Sequence, residues 1–126
     1  MERWRRSLRG QVPPRPLPGV VPSPAEDLDK LLRHAFACHQ AGRLKEAEQG
    51  YREVLKRHPR QFDSLHLLGV ISCQQGAFQE ALRQIDLALT TEPRDAVAHA
   101  NRAAALLGLR RLEEAVASCD KAIAIK

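Results

Sequence analysis

Catalytic signatures are missing from this chain. It has no GxSxG nucleophile turn, no glycine loop for phosphates and no HExxH helix, so no enzymatic activity is expected of it alone. Long apolar runs are missing too: none approaches the ~18 residues that a membrane span needs. The amino-terminal arginines are followed by no apolar stretch of ~7–15 residues, so that end does not read as a secretory signal. The prolines there also argue against the amphipathic helix of a mitochondrial presequence. Cysteine is scarce and odd in number, at Cys38, Cys73 and Cys119, with no CxxC pair. That excludes a disulfide framework and fits three small buried thiols in a reducing cytoplasm, where the chain is expected to reside.

The basic balance is local. The 126 residues carry a net charge of +5, but residues 1–24 hold five arginines against one glutamate. The remainder, with fifteen basic and fourteen acidic residues, is close to neutral. No nucleic-acid partner is therefore expected, and tethering of the tail to nucleic acid or an anionic membrane is a weak alternative. Six of the eight prolines fall between Pro13 and Pro24. Proline donates no backbone hydrogen bond and holds the residue before it extended, so residues 1–23 read as a disordered, basic, proline-rich tail. Pro13 and Pro16 make a PxxP spacing without a flanking arginine at the usual distance, and a plain linker is the expectation.

What the chain does have is a period. Ala47, Ala81 and Ala115 are spaced 34 apart, each preceded by Glu46, Glu80 or Glu114. Tyr51, Ile85 and Cys119 follow four residues later, and Pro59 and Pro93 close the first two units in phase. Self-similarity at this length marks a helix–turn–helix array. Apolar residues recur at three- and four-residue spacings, which places helices near 24–41, 44–57, 61–74, 78–91, 95–107 and 111–125. Ser23, Pro24 and Glu26 form a capping box for the first of them. Gly69 and Ala103 in the first helices of their units, with Ala81 and Ala115 in the second, allow close helix approach.

Leu65, Leu68, Gly69, Ala81, Ile85, Ala88 and Pro93 fall where tetratricopeptide repeats carry packing residues and a terminal proline. Residues 25–126 thus resemble about three such repeats, near 28–61, 62–95 and 96–126, the last truncated. The chain departs from the pattern at His34 and Arg102, which stand at the phase of Leu68, and at Arg110, which replaces the turn glycine of Gly42 and Gly76. No tryptophan or tyrosine occupies the first helices. The resemblance implies an all-α fold: a right-handed superhelical α-solenoid of antiparallel helix pairs, with first helices inside and second helices outside. Such arrays normally end in a polar cap. Here Val116, Cys119 and Ile123 take the phase of Leu82, Ile85 and Leu89. The expectation is that the chain is a fragment of a longer array, or that a partner or a second copy covers this helix by self-association.

A repeat of this kind offers a surface, and its expected function is that of a protein–protein interaction scaffold or adaptor. The groove should take a protein or peptide ligand, either an extended segment or a partner helix. Leu32, Arg33, Phe36 and His39 from the first unit, His66, Leu67 and Val70 from the second, and Asn101 from the third are the expected contacts. Arg33, His39, His66 and Asn101 are the hydrogen-bonding anchors, and Leu32, Phe36, Leu67 and Val70 supply apolar area. Family members that clamp chaperone carboxylate tails place lysines, asparagines and an arginine at the positions of Leu32, Phe36, Leu67, Val97 and Asn101, so that clamp is missing. Register and Asn101 are also similar to the substrate-presenting repeat arms of O-linked N-acetylglucosamine transferase and SPINDLY-type glycosyltransferases. In those arms an asparagine ladder grips the substrate backbone; here Arg33 and Leu67 hold the other two rungs. No cofactor is expected. His34 and Cys38 have a spacing able to hold a metal, but further ligands would have to come from His66, Cys73 or His99, which nothing singles out, and no metal site is expected. Glu46, Glu80 and Glu114 are read as helix N-terminal electrostatics.

Overall fold

The computed structural model describes residues 24–126, with side chains from Asp27 onward. The tail over 1–23 and the capping box of Ser23 and Glu26 lie outside the described side chains. Six helices follow one another: α1 (Pro24–Gln40), α2 (Leu44–Arg57), α3 (Phe62–Gln74), α4 (Phe78–Thr91), α5 (Ala96–Gly108) and α6 (Leu112–Ile125). Among the described residues all regular structure is helical. Each odd helix packs antiparallel on the even helix that follows it, α2 on α3, α4 on α5, and α3 also meets α5. The result is a right-handed superhelical α-solenoid.

The helix limits have local causes. Gln61 and Asp95 are N-caps: Gln61 Oε1 accepts from the Ser64 N–H at 2.7 Å and Asp95 Oδ1 from the Ala98 N–H at 2.8 Å. Each pair is joined by the same tight turn. The N–H groups of Arg43, Ala77 and Arg111 reach back to the carbonyls of Cys38, Ser72 and Leu106 at 2.8–2.9 Å. This closure needs a left-handed residue just before, supplied by Gly42 (φ +81°), Gly76 (φ +77°) and Arg110 (φ +61°). Arg110 therefore pays a steric cost that the two glycines avoid.

Packing follows the period. Ala47 and Ala81 are fully buried and Ala115 nearly so, each where its helix crosses its partner. Gly69 permits the closest approach of α3 to α4: a Cβ there would stand 2.5 Å from Ile85 Cγ1 and 3.3 Å from the Ala81 carbonyl oxygen. One core cluster joins the first two units through Ala35, Cys38, Ala47, Tyr51, Leu67, Leu68 and Ile71. A second joins the last two through Ala81, Leu82, Ala105, Leu106 and Ala115. A third gathers Phe62, Leu65, Ala88 and Ala98 near the turns that link units.

The departures from the repeat pattern find polar roles. Arg102, at the phase of Leu68, donates to Asp86 Oδ1 at 2.6 Å and to Ser118 Oγ at 2.7 Å, tying α5 to α4 and α6. His34, at the same phase in the first unit, is exposed beside Cys38. Of the three cysteines, only Cys38 is buried; Cys73 is half-buried and Cys119 exposed, which corrects the reading of three buried thiols. Burial pushes the Cys73 thiol pKa above its ordinary value. Val116 is 59% exposed and Cys119 is exposed, whereas Leu82 and Ile85, at the same phase one unit earlier, are 5% and 0% exposed; Ile123 is 72% exposed and its counterpart Leu89 is half-buried. The difference is positional: α5 covers α4, and no described residue covers that face of α6.

Candidate functional site

The first helices of successive units, α1, α3 and α5, form one wall. Two side-chain bridges cross it, each between residues 35 apart: His39 Nε2 to Gln74 Oε1 at 3.1 Å, and Asn101 Nδ2 to His66 Nε2 at 2.7 Å. In the second, the Asn101 amide donates and the His66 ring nitrogen accepts. These bridges fix the register of neighbouring units, since each side chain reaches one residue past its equivalent in the next repeat.

The eight expected groove residues divide by position in the array. On α1, Leu32, Arg33, Phe36 and His39 are half-buried. Arg33 pairs with Asp29 at 2.6 Å, and the His39 ring stands edge-on to Tyr51 with centroids 6.4 Å apart. On α3, Val70 is half-buried, but His66 is 0% exposed and Leu67 6%. Leu67 belongs to the core cluster between the first two units, and His66 packs on Phe62 with ring centroids 5.5 Å apart. Both side chains pack between units, because α3 is covered on both sides by its neighbours. On α5, Asn101 is half-buried and partnered by His66, while Val97, Ala100, Ala104 and Leu107 are exposed beside it.

Beneath the wall lies Tyr51, fully buried, whose hydroxyl has no hydrogen-bond partner among the described residues. Burial first, then the negative charge of Asp63 and that of the Cys38 thiolate, push its phenol pKa well above the ordinary value. A shallow open depression of about 570 Å³ lies elsewhere, lined by Leu28 and residues 57–61 at the α2–α3 turn. None of the eight expected residues enters it, so it is not the groove.

The recurring glutamates sit in the first turns of α2, α4 and α6, as the electrostatic reading requires, and each also meets an arginine. The contacts are Arg43–Glu46 at 3.6 Å, Arg83–Glu80 at 2.6 Å and Arg111–Glu114 at 2.7 Å. The hydrogen bonds from Arg83 and Arg111 lower the carboxyl pKa values of Glu80 and Glu114. These pairs are solvent-exposed, so they contribute little to stability.

One juxtaposition was not legible from spacing. Glu46 folds back onto His34 and Cys38, so that a nitrogen, a sulfur and an oxygen donor lie within 4.8 Å of one another. His66, Cys73 and His99, the residues considered as further ligands, do not join them. The only signal in the sequence was the short turn at Gly42, which brings the start of α2 beside the end of α1.

Residues 39–96 and 74–126 match the sequence model of the tetratricopeptide repeat. A curated relative, the inactive TPR repeat-containing thioredoxin TTL3 of Arabidopsis thaliana, is 43% identical over 63 residues, covering 50% of this chain and 9% of the relative. Among solved structures, a Thermobaculum terrenum O-GlcNAc transferase mutant superposes with a TM-score of 0.80 at 24% identity, over 85% of this chain and 21% of that one. The CopN–Scc3 complex gives 0.75 at 15% identity, over 97% and 75%. At these identities the solved structures establish a shared fold. The chain spans only about a tenth of the curated relative and a fifth of the transferase. Among the described residues, no helix is long and apolar enough to cross a membrane.

Proposed function

This chain belongs to the tetratricopeptide repeat family, and from that premise we propose that its first-helix wall binds an extended peptide segment or a helix of a partner protein, in the cytoplasm, without chemistry of its own. The observation that supports this reading is the wall itself. Its units are locked in register by His39–Gln74 and His66–Asn101, and on α5 it presents the exposed apolar residues Val97, Ala100, Ala104 and Leu107. A surface held rigid before binding costs less ordering entropy when a ligand arrives. Its mix of apolar area and few polar groups suits a polypeptide rather than a charged small molecule. The solved CopN–Scc3 complex is, by its name, an assembly of two proteins, which is consistent with that role for the fold.

The half-buried contacts on this reading are Leu32, Arg33, Phe36 and His39 on α1, Val70 on α3 and Asn101 on α5. The test is direct. Peptides selected from a displayed library on the full chain are measured by fluorescence anisotropy. Ala100→Glu and Ala104→Glu place a charge on exposed positions without touching the core, and they should each weaken binding at least about tenfold. Gln79→Glu, exposed on α4, should leave it unchanged. Equal binding by all three variants would move the site off this wall.

The second reading, the substrate-presenting arm of a glycosyltransferase, rests on Asn101 and is weaker. Asn101 already bonds His66, and Leu67, at the corresponding rung of the second unit, is buried.

A further inference from the structure

We propose that His34, Cys38 and Glu46 form a site for one divalent transition ion of borderline softness, with zinc the best match to the donors. His34 and Cys38 stand one turn apart on α1, and Glu46 approaches from the first turn of α2. His34 Nε2 lies 3.6 Å from Cys38 Sγ, and Cys38 Sγ lies 3.8 Å from Glu46 Oε2, to which the thiol donates. Zinc holds sulfur at about 2.3 Å and nitrogen or oxygen at about 2.1 Å, so in a tetrahedron the sulfur-to-nitrogen and sulfur-to-oxygen edges are about 3.6 Å. The two sulfur edges therefore already stand at nearly the separations that a tetrahedral ion imposes, and the His34 and Glu46 donors, within 4.8 Å of each other, would close up on binding. Calcium and magnesium take oxygen ligands and do not select a thiolate and an imidazole.

The site is not a by-product of the repeat. Advancing by 34 residues gives Leu68, Ser72 and Glu80, and advancing again gives Arg102, Leu106 and Glu114. The glutamate recurs for helix electrostatics, but the two soft donors occur only in the first unit. In the second unit the same place is filled by a protein-only chain, in which Ser72 Oγ donates to Gln84 Oε1 at 2.9 Å and Gln84 Nε2 to Glu80 Oε1 at 3.2 Å. The repeat thus requires neither a histidine nor a cysteine at these positions. His34 and Glu46 are exposed and Cys38 is buried beneath them, so an ion would close over the sulfur from the solvent side and keep a water as its fourth ligand. On binding, Cys38 releases its proton to solvent and the thiolate donates an electron pair to the metal. An opposing charge is present: Arg43 Nη1 lies 3.6 Å from the same Glu46 oxygen, on a side chain exposed enough to swing away.

The experiment titrates the untagged, reduced full chain with cobalt(II), then displaces it with zinc. Thiolate coordination is read from the sulfur-to-cobalt charge-transfer band. The expected result is one ion per chain and a band that is lost in Cys38→Ser and retained in the Cys73→Ser/Cys119→Ser double variant. Affinity should fall by at least about tenfold in Glu46→Gln and in His34→Ala, and rise in Arg43→Ala. Glu46 and His34 are exposed, so their variants keep the test available should Cys38→Ser fail to fold. A wild-type chain without the band would overturn the proposal. So would a band that survives Cys38→Ser, or affinities unchanged in both Glu46→Gln and His34→Ala.

Discussion

Replacing Gly69 by alanine tests the helix-pair geometry through a change of sign. The new Cβ would stand 2.5 Å from Ile85 Cγ1 and 3.1 Å from Ile85 Cδ1, inside the fully buried contact of α3 with α4. Overpacking of this kind costs about 1–3 kcal/mol. Against it, alanine is favoured over glycine in a helix interior by about 1 kcal/mol. The net expectation for Gly69→Ala in the native background is a loss of about 1 kcal/mol. In an Ile85→Ala background both clashing atoms are gone, and of the three nearest atoms the Ala81 carbonyl oxygen remains, at a tight 3.3 Å that a shift of a few tenths of an ångström relieves. There the same substitution should stabilise by about 1 kcal/mol, through helix propensity and partial filling of the space left by isoleucine. The coupling between the sites is then about 2 kcal/mol, which a double-mutant cycle resolves readily. Urea unfolding followed by far-ultraviolet circular dichroism supplies the four free energies. If Gly69→Ala has the same effect in both backgrounds, α3 and α4 do not meet at this point and the register is wrong.

Three further outcomes are expected. Arg110→Gly removes the left-handed strain of a side-chain-bearing residue and should raise stability by about 0.5–1 kcal/mol in the same urea assay, while the equivalent change at an ordinary helical position lowers it. Tyr51→Phe deletes a buried hydroxyl that has no partner among the described residues and should be neutral or stabilising by about 1 kcal/mol at neutral pH. Because the folded pKa of Tyr51 is raised, its contribution is complete below the ordinary phenol pKa of about 10 and is lost as pH rises beyond it, since the unfolded chain ionises first. Tyr51→Phe should abolish that alkaline loss in unfolding curves measured across this range. Asn101→Ala removes the partner that holds the buried His66 ring and should cost about 1–3 kcal/mol, read as a lower urea midpoint.

The fold was legible because a single period governs it. All six helices begin and end within a residue of where periodicity, capping and proline place them, and Gln61 and Asp95, read as the first residues of their helices, act as N-caps. The candidate wall was legible only in part, and the reason lies in array position rather than residue type. Leu32 and Arg33, His66 and Leu67, and Ala100 and Asn101 hold the same register in successive units. Yet the middle pair is buried and the others are half-buried or exposed, because α3 alone has a unit on each side. From Phe62 to Gly69 that helix is buried all round, so an apolar stripe no longer marks one face. The approach of Glu46 to Cys38 was hidden for a different reason: helical spacing relates residues within a helix, not across the turn between two.

The central claim is that the wall of α1, α3 and α5 is the surface that receives another polypeptide. Amide chemical shifts of the isotopically labelled full chain, followed during titration with a display-selected peptide, test it most directly. The account predicts that the perturbed residues gather on Leu32–His39, Val70–Gln74 and Val97–Leu107, with α2, α4 and α6 quiet. Perturbations confined to those second helices would contradict it.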